Sequence, residues 1–136
     1  MKIKIIVGLL ALTLALAVAA QPQQQQTVRL TIRNGGTQQI TALDANVSGC
    51  SANLTHPTAS LDAGASSAAV VQVPGNCQPQ IVLSYQGSSG NNCTVTIKPV
   101  FGRQGFGSQS LSSCQATVIP MPGTMANQLG YTVILR

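Results

Sequence analysis

The sequence predicts an all-β fold, a single antiparallel β-sandwich, and three observations carry that reading. Beyond residue 20 apolar and polar residues alternate with period two, and helical periodicity is absent. Valine, isoleucine and threonine, which suit a pleated half-buried surface, fill those alternating runs. Clusters of Gly, Asn, Ser and Pro interrupt them at intervals typical of a sandwich.

Residues 1–20 read differently. Lys2 and Lys4 precede an apolar run from Ile5 to Ala20 that closes on Val18-Ala19-Ala20. A positive start, a hydrophobic stretch and a small-residue end predict a cleaved signal peptide. The run is shorter than the ~20 residues a spanning helix needs, and no basic stop-transfer cluster follows. Cleavage after Ala20 makes Gln21 the new N-terminus. Residues 21–26 then form a flexible Gln-rich arm with no apolar side chain to bury, and residues 27–136 form the disulfide-stapled sandwich domain.

The strands follow in order. Thr27–Arg33 sets Val28, Leu30 and Ile32 against Thr27, Arg29, Thr31 and Arg33. Asn34-Gly35 then predicts a tight hairpin turn, since both residues tolerate positive φ. That turn would fold Thr27–Arg33 back onto a second strand at Gln39–Val47, bulged near Asp44-Ala45. Residues 48–67 read as loop with at most one short edge strand. Ala68–Val73 follows, closed by Pro74-Gly75-Asn76. Gln80–Tyr85 points Ile81, Leu83 and Tyr85 one way, and residues 87–91 turn the chain. Cys93–Val100 alternates again, residues 101–113 read as a Gly- and Ser-rich loop, and Cys114–Ile119 and Gly130–Arg136 complete about seven strands. The count and the spacing predict an immunoglobulin-like architecture. No tryptophan is present to pack on a disulfide, so the expectation concerns architecture and not membership of the antibody-type family.

Charge and cysteine bound the function. Without Lys2 and Lys4, five basic side chains (Arg29, Arg33, Lys98, Arg103, Arg136) face two acidic ones (Asp44, Asp62), a net of +3. This balance is too dilute for a nucleic-acid footprint, which needs clustered Lys/Arg, and it suits weak attraction to acidic surface polymers. The four cysteines, Cys50, Cys77, Cys93 and Cys114, all lie in the exported part. An oxidising compartment makes two disulfides the default. Of the three pairings, Cys50–Cys77 with Cys93–Cys114 is preferred, because sequential pairs join neighbouring segments of an antiparallel sheet. Secretion to the periplasm, the cell surface or the medium follows, with no membrane span in the mature form.

Little chemistry can be assembled. Glu is absent, and His56 is the one histidine. His56 with Asp44 or Asp62 could form part of a Ser-His-Asp set, but no Gly-x-Ser-x-Gly elbow accompanies it. A blue-copper site needs a second histidine, so Cys114, Met121 and Met125 do not make one. A zinc cage lacks its ligands too. The expectation is a non-enzyme without metal or cofactor. Tyr85 and Tyr131 take inward strand positions. Phe101 and Phe106 bracket Gly102-Arg103-Gln104-Gly105, and the candidate binding patch is Phe101, Arg103 and Phe106 together with Arg29 and Arg33. The arginines of the first strand also read as solvated or edge-protecting charges. Asn46, Asn53 and Asn92 open N-x-S/T acceptor patterns.

These features predict a secreted module that binds a cell-surface component, an acidic glycan or a protein partner, with no nucleic-acid partner. The alternative is a subunit of an extracellular fibre or surface layer that self-associates. Gly123 and the terminal Gly130–Arg136 faintly resemble the last strand of chaperone–usher pilins over 14 residues, with Leu135 in place of the penultimate aromatic. That likeness implies assembly by strand addition. A sandwich-type membrane toxin would need an exposed Trp/Tyr belt, which this chain lacks.

Overall fold

The computed structural model describes residues 25–87, 89–101, 110–112, 114–121 and 127–136. The described residues form an all-β, two-sheet sandwich. Its strands are β1 (Gln26–Asn34), β2 (Thr41–Ser48), β3 (Asn53–Thr55), β4 (Ser66–Val73), β5 (Gln80–Gln86), β6 (Asn92–Ile97), β7 (Ser110–Ser112), β8 (Ala116–Met121) and β9 (Gln128–Leu135). One sheet has the order β3-β4-β1-β9-β8 and the other β2-β5-β6-β7. The two strands beyond the expected seven are the three-residue edges β3 and β7. β7 falls in a stretch read as loop, where Ser and Gly mask a run too short to show alternation.

Alternation places the core between the sheets. Val28, Leu30 and Ile32 of β1 are buried, as are Ile81, Leu83 and Tyr85 of β5, Cys93, Val95 and Ile97 of β6, and Tyr131, Val133 and Leu135 of β9. Each fully buried aliphatic side chain contributes roughly 1.5–3 kcal/mol. Both tyrosines are inward, as expected. Tyr85 stands directly opposite Cys93 in the β5–β6 ladder, so an aromatic ring borders the Cys93–Cys114 disulfide.

The predicted β1–β2 hairpin is not formed. β1 pairs antiparallel with β4 and in parallel with β9, while β2 pairs with β5 in the other sheet. Asn34 is the last residue of β1 and is fully buried. Its side-chain amide donates to the carbonyls of Gln38 (2.7 Å) and Leu61 (3.0 Å). Its Oδ1 accepts from the Gly36 N–H at 3.0 Å. Asn34-Gly35 is therefore a sheet-to-sheet corner, and the asparagine supplies the hydrogen bonds that the crossing backbone lacks. The expected bulge in β2 is present, with the register shifting between Thr41 and Asp44 and Ala42 at φ 54°.

Both disulfides pair as expected, Cys50–Cys77 and Cys93–Cys114, with Cα–Cα distances of 5.9 and 5.5 Å. They indicate an oxidising environment, extracellular or periplasmic. Cys50–Cys77 ties the segment after β2 to the β4–β5 connection, beside the paired ends of β2 and β5.

β8 runs through Pro120 to Met121, past the expected end at Ile119. The Arg136 N–H donates to the Gln115 carbonyl at 3.1 Å. Counting in twos along the ladder from that pair, residue 120 points its backbone away from β9. Proline there costs no ladder bond and removes a donor from the free edge.

Candidate functional site

β1 is the middle strand of the five-stranded sheet, so its outward residues sit at the centre of a face. Leu30 and Ile32 point in, while Arg29, Thr31 and Arg33 point out and are exposed. The edge-protecting reading of the two arginines is corrected by this position, since β1 has a partner on each side. Arg29 lies between Val70 of β4 and Gly130 of β9, and Arg33 lies between Ser66 and Ile134. Beyond β9, the exposed Ile119 and Met121 of β8 form an aliphatic rim. Neither Arg29 nor Arg33 has an ion-pair partner among the described residues.

Of the other expected patch residues, Phe101 is half-buried and packs against the core. Arg103 and Phe106 lie outside the described residues, as does Met125. Met121 is exposed, and the Thr132 hydroxyl donates to its sulfur at 3.0 Å. Cys114 is held in a disulfide.

The sequence left open whether His56 meets Asp44 or Asp62, and the structure brings it to Asp44. His56 Nδ1 lies 2.9 Å from Asp44 Oδ1, with the two side chains 60% and 52% exposed. The same oxygen accepts from the Ala45 N–H at 2.8 Å. The hydrogen bond from His56, and next that from Ala45, holds the Asp44 carboxyl below its ordinary value. An ionised carboxylate only accepts, so the His56 proton sits on Nδ1. The pair clips the segment after β3 to β2, across the open side of the sandwich. The Leu43 N–H bond to Ala59 O and the mutual bonds of Ile40 and Leu61 continue that closure.

A histidine oriented by a carboxylate is the base half of a nucleophilic set. No hydroxyl or thiol contacts the other ring nitrogen among the described residues, and no group of three metal-binding side chains is found among them. Asp62 is used differently, accepting from Gln39 Nε2 at 3.1 Å.

Sequence reasoning missed one feature. A groove of about 380 Å³ opens where β1 begins, lined by Gln25, Ser51, Ala52, Asn53, Gln72, Val73 and Pro74. Its polar lining consists of carboxamides and one hydroxyl, which can hydrogen-bond but not titrate. No local signal marks it, because three separate segments converge there. The three N-x-S/T asparagines legible in the sequence, Asn46, Asn53 and Asn92, take exposed strand positions.

The chain matches no known family profile, and no curated protein sequence is significantly similar to it.

Proposed function

We propose that the protein is exported, loses residues 1–20, and works as a non-enzymatic binding module. The face it uses is the outer side of the five-stranded sheet, and its target is a component of a cell surface. One observation carries this reading: Arg29 and Arg33 stand exposed at the middle of a sheet face, with no acidic partner among the described residues. An unneutralised pair of exposed cations at the centre of a sheet face is available to a ligand. The disulfides and the low charge suit a small exported domain. An immunoglobulin-like architecture remains our reading of the sandwich, with the parallel β1–β9 pairing and the β1/β2 split between sheets as its particular features.

The fibre alternative draws less support. Exchange of β1 between subunits would have to displace it from between β4 and β9 of its own chain, and the sheet edge at β8 carries Pro120, which discourages addition of a further strand there.

The test is retention of the purified exported protein on cells or cell-wall material of the organism that makes it, combined with sedimentation. Retention of a monodisperse monomer supports the binding module. Rods or ladders without retention overturn it in favour of the fibre subunit.

A further inference from the structure

We infer that the outer face of the five-stranded sheet binds an acidic polysaccharide through Arg29, Arg33 and Arg136. The inference rests on the surface-binding reading above and names its ligand class.

Arg136 joins the arginines of β1 through the parallel register. Asn34 pairs with Leu135, and the Gly35 N–H donates to the Leu135 carbonyl at 2.8 Å. The next residue in register with Gly35 is therefore Arg136. Leu135 is buried and Arg136 exposed, so alternation puts Arg136 on the outer side with Ile134. A Cβ built on Gly35 would lie 2.6 Å from Ile134 Cγ2 and 3.8 Å from Arg136 Cγ. Both side chains thus lie over the bare glycine, on the face that carries Arg33. At about 3.3 Å per residue, Arg29 and Arg33 are about 13 Å apart along the strand, and the level of Arg136 is about 20 Å from Arg29.

The face carries no side-chain carboxylate among the described residues. The chain has two side-chain carboxylates. Asp44 belongs to β2 of the opposite sheet and is tied to His56, and Asp62 accepts from Gln39. Between the arginines stand Thr31 and its neighbour Thr132.

Spaced guanidinium forks take sulfate or carboxylate groups, and threonine hydroxyls both donate to and accept from sugar hydroxyls. A single-stranded nucleic acid would call for aromatic stacking platforms, yet the outward positions of β4, β1, β9 and β8 hold no aromatic residue. An anionic bilayer recruits clusters of about four to eight Lys/Arg, more than this face holds.

The test uses the full exported chain with heparin and polygalacturonate as sulfated and carboxylated probes, neutral dextran, and single-stranded DNA. Binding to both acidic sugars, and not to dextran, is expected. R29Q, R33Q and R136Q should each weaken heparin binding about threefold and reduce its salt dependence by about one charge equivalent. The triple variant should lose at least tenfold, at an unchanged melting temperature. Unchanged heparin affinity in a folded triple variant overturns the inference. Equally tight DNA binding with the same arginine dependence also overturns it, because the face would then be a general anion trap. Retention of the wild type on cell walls that neither competing heparin nor the triple substitution reduces would sink the polysaccharide and leave the surface-binding reading standing. Absence of any retention would sink that reading itself.

Discussion

The Asn34 side-chain amide donates to the backbone carbonyl of Leu61, 27 residues further along, at 3.0 Å. That bond fastens the corner where the chain leaves the five-stranded sheet for the other. Leu61 exchanges two backbone bonds with Ile40, so one asparagine holds three segments together.

Replacing Asn34 with Ala should therefore cost about 2–4 kcal/mol. The carbonyl of Gln38 and the Gly36 N–H would lose their side-chain partner and the Leu61 carbonyl would keep only the Ile40 N–H, and each hydrogen bond lost is worth about 0.5–1.5 kcal/mol. Asn34→Asp should do no better, since it removes both donors and buries a charge. Urea unfolding measures both, and a loss below about 0.5 kcal/mol would show that the corner does not depend on this side chain.

β1 supplies three buried aliphatic side chains and the pairing surfaces of two neighbours. A chain starting at Thr27 should fold as a monomer, at the cost of the Gln26–Val73 pair and the Asn127 side-chain bond to the Gln25 carbonyl. One starting at Asn34 should not fold, because β4 and β9 would face an empty slot about two strand spacings wide. Circular dichroism and sedimentation decide the matter. A folded Asn34-start chain that binds a synthetic Gln21–Arg33 peptide would instead support strand exchange between subunits.

Gly35 has a steric and not a conformational reason to be glycine. The Cβ added by Gly35→Ala meets Ile134 Cγ2 at 2.6 Å, so a loss of about 1–3 kcal/mol is expected. Ile134→Ala removes the obstructing methyl. The double variant should recover most of the loss, and a double-mutant cycle without coupling would contradict the contact.

Each disulfide closes a loop, with sequence separations of 27 and 21 residues. Replacing either pair with serines should cost about 3–4 kcal/mol in the chain-entropy account. The intact mass of the exported protein should match a start at Gln21 with both bridges formed. Alkylation of four thiols without prior reduction would contradict the oxidising compartment.

Asp44 gives a pH signature. Its carboxyl is held below the ordinary 3.8, first by the hydrogen bond from His56. A depressed folded-state value means that the stabilisation is complete above the unfolded value and is lost as pH falls through the folded one. The pair is exposed, so the effect is small. Asp44→Asn should flatten the stability profile below about pH 4. Identical acid limbs for the two proteins would show that the clip contributes nothing.

The sequence by itself determined which residues face inward. Val28, Leu30, Ile32, Tyr85 and Tyr131 are legible because side chains alternate strictly along a strand, whatever lies beside it. The disulfide pairing was legible for a similar reason, since sequential cysteines in a strand-rich chain fall on adjoining segments. Alternation carries no record of a strand's neighbour, however, and only the tertiary structure decided that. Asn34-Gly35 has the local preferences of a hairpin turn. Burial of Asn34 against Leu61 outweighed them, because a corner between sheets must satisfy its own backbone. The candidate face divides in the same way: Arg29 and Arg33 could be placed on one side of a strand from their spacing alone. Their position at the sheet's centre, and the arrival of Arg136 beside Gly35 from the far end of the chain, depend on a parallel pairing between residues about a hundred positions apart.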